Sequence, residues 1–183
     1  VTTPPYTIPL TGKAANSWVF VSFPSAMSGN IQTLLTDSIA TGGDGGTIWT
    51  VAKWFNALDK ADPWKTYRVG GSANDMPALT NTMGVWLYLT ANGGDYKLTL
   101  SSYAANSSSN VLISLKAGWN MVGYPSATSR AESATLPAVV TLVASWQAAT
   151  PFITQHAKGA TMMVPGNAYW LFATIDTTWN VAP

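Results

Sequence analysis

Residues 119–126 read Trp-Asn-Met-Val-Gly-Tyr-Pro-Ser, and residues 18–25 read Trp-Val-Phe-Val-Ser-Phe-Pro-Ser. Trp18, Val21, Phe23, Pro24 and Ser25 therefore have counterparts in Trp119, Val122, Tyr124, Pro125 and Ser126, at an offset of 101 residues. An apolar run that begins with Trp and stops at Pro-Ser predicts a strand closed by a turn. Two such runs in one chain predict a duplicated unit.

Around the first run, Tyr6–Leu10 predicts a strand, which Pro9 places where a missing amide hydrogen does no harm. Ile31, Leu34 and Leu35 have helical spacing, so Ile31–Asp37 predicts a short helix capped by Ser28 or Asn30. Thr41–Thr47 is a glycine-rich turn that lacks the Gly-Lys-Ser/Thr ending of a phosphate loop. Ile48–Phe55 predicts a strand with Trp49, Val51 and Lys53 on one side and Thr50, Ala52 and Trp54 on the other. Trp64–Val69 and Gly84–Thr90 are further strands, and Asn92-Gly-Gly-Asp95 predicts a hairpin from the latter into Tyr96–Leu100.

The second run has matching surroundings. Val111–Leu115 answers Tyr6–Leu10, and Ala131–Val140 stands where the helix stood, ended or bent by Pro137. Thr141–Trp146 answers the strand ending near Trp54 at an offset of 92, and Ala168–Thr174 answers Gly84–Thr90 at an offset of 84. Thr178–Val181 closes where Leu98–Leu100 closed. The shrinking offset is absorbed in loops, whose length is free to change. The expected architecture is all-β, with two tandem pseudo-equivalent small β-sandwich or barrel repeats of six strands, each with one short helix. The first spans residues 1–100 and includes an extended segment, 1–10; a Ser-rich linker, 101–110, leads to the shorter second repeat, 111–183.

Composition narrows the class of function. Only 9% of the residues are charged, against roughly a quarter in ordinary domains. Nine Trp and 47% hydrophobic residues exclude a disordered chain. A net charge of +1 with scattered Lys and Arg carries no nucleic-acid footprint, and no apolar run approaches the length of a membrane span. The chain starts at Val1 with neither a basic n-region nor an apolar h-region, as expected of an extracellular or cell-surface protein after signal-peptide removal. Asn106-Ser-Ser is the one Asn-x-Ser/Thr sequon and makes Asn106 the glycosylation candidate.

These residues resemble a paired β-repeat of secreted and cell-surface proteins of archaea and some bacteria, which typically reads "GWNLVGYPS". In that family a short helix follows, then an aromatic-ended strand, a "DP-WK-Y" segment, "NDL" and an "MGYWIYVT"-type strand. Here they stand as Gly118–Ser126, Ala61-Asp-Pro-Trp-Lys-Thr-Tyr67, Asn74-Asp-Met76 and Met83–Thr90. The second half lacks the "WK-Y" and "ND" elements. The resemblance implies architecture and an extracellular setting, and brings no catalytic residues with it.

Chemistry-bearing residues are few. His156, the single histidine, is expected in a variable loop in a structural or exposed role, because no Gly-x-Ser-x-Gly elbow accompanies it. One His and no Cys cannot make a zinc site. Asp59, Asp62 and Asp75 are the calcium candidates, having hard oxygens but no Asp-x-Asp-x-Asp-Gly loop; no other cofactor is expected. Trp18, Trp86, Trp119 and Trp170 recur inside apolar strands and are expected in the cores. Trp49, Trp54, Trp64, Trp146 and Trp179 are undecided, with Trp54 and Trp64 the candidates for ligand contact.

The expected function is non-enzymatic and structural: an extracellular subunit that partners itself in a surface layer, sheath or filament. Low charge lowers the electrostatic barrier to self-association. The assembly residues are Thr2, Thr3, Pro4, Pro5, Tyr6, Ile8 and Leu10, donated as a strand to a neighbour or paired within the first repeat. The alternative is a module for adhesion to, or binding of, cell-surface glycans.

Overall fold

Short runs of β-branched and aromatic residues, broken by Gly, Pro and Asn, fold among the described residues as sixteen strands and two single-turn helices. The computed structural model describes residues 6–10, 13–35, 48–90, 97–100, 109–146 and 153–183. Thr2–Pro5, the turns at 41–47 and 92–95, and Asn106 lie outside the described residues. The first half contains β1 (Thr7–Pro9), β2 (Trp18–Val21), β3 (Ser28–Gly29), α1 (Ile31–Leu34), β4 (Trp49–Phe55), β5 (Trp64–Arg68), β6 (Leu79–Thr80), β7 (Val85–Leu89) and β8 (Lys97–Thr99). The second contains β9 (Val111–Leu115), β10 (Gly118–Val122), β11 (Arg130–Ala131), α2 (Glu132–Thr135), β12 (Val140–Trp146), β13 (Ile153–Ala157), β14 (Met162–Met163), β15 (Tyr169–Ala173) and β16 (Thr177–Val181).

The fold is all-β, and both halves use one wiring. A four-stranded antiparallel sheet runs β2-β7-β4-β5 in the first half and β10-β15-β12-β13 in the second. Two-stranded pairs accompany each: β1 with β8 and β3 with β6, then β9 with β16 and β11 with β14. Among the described residues each half therefore has eight strands rather than six, because two-residue strands leave no periodic signal. The hairpin expected from 84–90 into 96–100 does not form. β7 lies between β2 and β4, so β8 pairs instead with β1 (Ile8 opposite Leu98).

A bulge explains a second correction. The register of β4 on β7 slips between Trp49 and Val51, and that of β12 on β15 slips between Val140 and Leu142. Each extra residue reverses the alternation, so Trp49 and Ala52 share the core side. The bulges also align Val51 with Leu142 and Phe55 with Trp146, an offset of 91 rather than 92. Asn30, not Ser28, caps α1, its Oδ1 accepting from Gln32 N (2.9 Å) and Thr33 N (3.4 Å). The second helix is also shorter than expected, since Val140 already belongs to β12.

Each half has its own core. Val19, Val21, Phe23, Trp49, Leu87 and Leu98 are among the buried residues of the first, and Val122, Tyr124, Val143, Leu171 and Trp179 of the second. Within the recurring motif it is thus Val and the aromatic before Pro-Ser that anchor the core. Tyr124 stacks on Trp179 (6.1 Å between centroids), and the Tyr124 hydroxyl donates to Thr128 O (2.8 Å). Asn120, nearly fully buried, organises the β9–β10 turn: its Oδ1 accepts from Lys116 N and its Nδ2 donates to Lys116 O, both at 2.8 Å.

The halves meet through reciprocal backbone contacts. Ser22 N donates to Gly166 O (2.8 Å), and Gly123 N donates to Thr82 O (2.8 Å). Under the offsets of 101 and 84, Ser22 answers Gly123 and Thr82 answers Gly166, so the two bonds are equivalents. The approach leaves no room for side chains. A Cβ at Gly84 would stand 2.4 Å from Val122 O, and one at Gly123 2.6 Å from Asn81 O and 2.7 Å from Met83 O. Gly84→Ala and Gly123→Ala should each lower stability by about 1–3 kcal/mol, since backbone on both sides must shift. Denaturant unfolding measures this; unchanged midpoints in both variants would contradict the contact.

Candidate functional site

The four-stranded sheets turn one face to their own cores and a second, aromatic face to each other. In β7, Val85, Leu87 and Leu89 point into the core, which leaves Trp86 and Tyr88 on the far side. In β15, Tyr169, Leu171 and Ala173 are core, which leaves Trp170 and Phe172. Where these far faces touch, Phe20, Met121 and Ala168 are buried, with Trp54, Phe55, Trp86, Trp146 and Trp170 packed around them. Phe20 stacks on Trp86 (4.5 Å), and Trp170 approaches Phe55 (5.2 Å) and Trp64 (5.9 Å).

Beyond that contact the faces diverge and leave a cleft of about 780 Å³. Trp18, Trp64 and Trp86 line it from the first half and Trp146 and Ile153 from the second, with Lys13, Asn16 and Lys53 among the polar residues. Lys13 Nζ lies 4.0 Å from the Trp146 ring centroid, and Lys53 Nζ lies 5.9 Å from that of Trp18. Such cation–π contacts are worth about 0.5–1 kcal/mol at exposed sites and more when desolvated. Burial lowers the Lys13 pKa. Asn16 holds a left-handed backbone (φ +57°), a conformation that Asn tolerates, and its Oδ1 accepts from Tyr88 OH (3.3 Å). A neighbouring hollow of about 440 Å³, lined in part by Phe55, Ile153, Trp119 and Trp170, extends the aromatic surface.

These positions correct the expectation for four of the tryptophans and decide two that were open. Trp18, Trp86, Trp119 and Trp170 are only half-buried, on the far faces, whereas Trp49 and Trp179 are core residues. Trp64 is 44% exposed and lines the cleft. Trp54, the other ligand candidate, is drawn into the junction of the halves, its Nε1 donating to Met121 O (3.4 Å). Lys13, Trp18, Lys53, Trp86 and Trp146 were not expected at a site. Period-two alternation in Val-Trp-Leu-Tyr-Leu carried the signal for Trp86, because it sets the aromatics opposite Val and Leu.

The calcium candidates do come together, around a cation of the chain's own. Lys65 Nζ lies 2.9 Å from Asp59 Oδ2, 3.2 Å from Asp62 Oδ2 and 4.0 Å from Asp75 Oδ2. The Lys65 hydrogen bond, with a further one from Asp62 N, holds the Asp59 carboxyl below its usual range. Among the described residues no group of three or more His, Cys, Asp or Glu side chains could hold a metal ion. The Asn74-Asp75 pair closes the outer edge of β5. Asn74 Oδ1 accepts from Arg68 N and Asp75 Oδ1 from Thr66 N, both at 2.7 Å, in the place of a neighbouring strand.

His156 lies in β13 rather than in a loop, paired with the fully buried Glu132 (Nε2 to Oε1 2.7 Å). Thr161 Oγ1 donates to the same carboxylate oxygen (2.7 Å) and lies 3.4 Å from the same ring nitrogen. A nucleophile relay needs its hydroxyl and its acid on opposite ring nitrogens, so this is a structural cluster. Gly159 N donates to Glu132 Oε2 (2.8 Å), which ties α2 to the β13–β14 connection. The remaining described acid, Asp176, accepts from Lys116 Nζ (2.7 Å) and Ala117 N (2.9 Å). The Tyr6–Leu10 segment is seated within its own chain, on β8, with Leu10 in the first core.

No family model, curated protein or solved structure matches the chain.

Burial alone would raise the Glu132 pKa, but the hydrogen bonds from His156, Thr161 and Gly159 N outweigh it and depress the carboxyl below its ordinary 4.5. A depressed carboxyl stabilises the fold fully above its unfolded-state pKa and loses that contribution as pH falls through the folded value. Melting temperatures of the wild type and Glu132→Gln should therefore converge as pH drops from neutrality to below about 4.5. A constant difference between them down to the most acid pH would contradict an ionised Glu132.

Proposed function

We propose that the protein is a non-catalytic, extracellular carbohydrate-binding module that engages saccharide chains in the tryptophan-lined cleft between its halves. The observation that carries this reading is the cleft itself. Four indole side chains border one open hollow of sugar-chain dimensions, and Trp64 is substantially exposed. Pyranose rings present C–H faces that pack on indole and hydroxyls that bond its rim, so a wet aromatic cleft suits them better than a purely apolar guest. The adjacent hollow with Trp119 and Trp170 provides contacts for further sugar units. A non-catalytic role is supported by the described acids and the histidine, which are engaged in ion pairs and do not line the cleft. Trp64→Ala should weaken retention on a bound polysaccharide at least about tenfold, as loss of a central tryptophan contact commonly does. Affinity electrophoresis through gels containing different polysaccharides measures it. Unretarded migration of the wild type in every gel would reject the reading.

A second reading, self-assembly into a surface layer, sheath or filament, draws support from the outer strand β13. Four of its five residues are exposed, and among the described residues no side chains cover its edge as Asn74 and Asp75 cover β5. The three-pair β1–β8 ladder is also short enough to exchange with a second copy's β1. Electron microscopy and sedimentation of the purified chain distinguish the readings. Ordered polymers would favour assembly, and a monodisperse monomer at high concentration would reject it.

A further inference from the structure

We infer that the cleft selects an anionic saccharide, one whose carboxylate or sulfate groups sit over Lys13 and Lys53. The inference rests on the carbohydrate reading above and adds the charge of the ligand.

It follows from where the chain places its few charges. The cleft lining contains two lysines and no carboxylate. The described acids are committed elsewhere: Asp59, Asp62 and Asp75 to Lys65, Asp176 to Lys116, and Glu132 to His156. Lys13 and Lys53 are left facing indole rings, with no ion-pair partner among the described residues. Burial disfavours the charged form of Lys13, a cost that an incoming anion would offset. In a chain only 9% charged, two of the nine Lys and Arg residues line this one aromatic cleft, with no carboxylate beside them.

The other half supplies an internal comparison. The bulges place Lys53 and Ala144 at equivalent positions, opposite Trp86 and Trp170 respectively. The hollow beside Ala144 keeps the aromatic walls, Trp119 and Trp170, but no lysine lines it. The aromatic surface is thus common to both halves. A further hollow beside Trp119 has Lys60 and Lys116 but also Asp59 and Asp176, so the cleft differs in having lysines without carboxylates. Sugar stacking accounts for the first feature, and an acidic substituent accounts for the second.

Calorimetric titration of the full chain tests this with matched probes: oligogalacturonate against its methyl ester, and dextran sulfate against dextran. The two pairs separate carboxylate from sulfate. At least one charged probe should bind about tenfold more tightly than its neutral partner, and the gap should shrink between low salt and about 0.5 M salt. Lys13→Met and Lys53→Met should each shrink the gap between charged and neutral probes while leaving the unfolding midpoint near wild type. Equal affinity for charged and neutral forms would overturn the inference and leave the carbohydrate reading standing. So would a gap that survives the double Lys→Met variant. Absence of binding to every probe would overturn both.

Discussion

Two equivalent backbone hydrogen bonds, from Ser22 to Gly166 and from Gly123 to Thr82, set how closely the halves approach. Bonds of that length between main chains tolerate nothing thicker than a hydrogen atom at Gly84 and Gly123. The consequence propagates outward. Once the ends of β2 and β10 are pinned, the far faces of the four-stranded sheets must confront each other, and Phe20 and Met121 are buried between them. Further from the pinned ends, the faces separate, and the tryptophans that would have completed the contact line a cleft instead.

This explains the high tryptophan content without a large core. Each half has a compact core of its own, built mainly from Val, Leu and one buried tryptophan, Trp49 or Trp179. The other tryptophans serve a third apolar layer, neither core nor ordinary surface, in which a large ring can be half covered and still hold a polar edge to solvent. Strands with aromatics on one side and aliphatics on the other are what such a layer requires. A surface that must stay wet without many charges then relies on Ser, Thr and Asn, as the composition reflects.

The recurring motif, its Pro-Ser turn and the all-β class were legible from residue order, because strand periodicity and turn chemistry are local. So was the α1 cap, where Asn30 had the right chemistry one residue before Ile31. What escaped were effects of pairing. The bulges at Thr50 and Thr141 inverted the expected faces of β4 and aligned Trp146 with Phe55, and no local pattern announces an unpaired residue. The hairpin into Tyr96–Leu100 had convincing turn residues, yet a strand already flanked by β2 and β4 had no free edge to offer. The cleft was half legible. Trp64 could be named from its polar setting, but Lys13 and Lys53 reach the site from distant segments, and recurrence made Trp18 and Trp86 look like core. Asp59, Asp62 and Asp75 meet around Lys65, which stands in the same stretch of sequence as Asp59 and Asp62.

The side chains of Asn74 and Asp75 along β5 have a further consequence for symmetry of growth. They stop one outer sheet margin, while the corresponding margin at β13 has no such stop among the described residues. A building block with one adhesive margin joins a second block through the same margin and is then saturated, because the pair related by a two-fold axis presents no further copy of it. Contact through β13 alone therefore yields closed dimers. An extended array would need a second, chemically different junction, which the sealed margin of β5 does not offer.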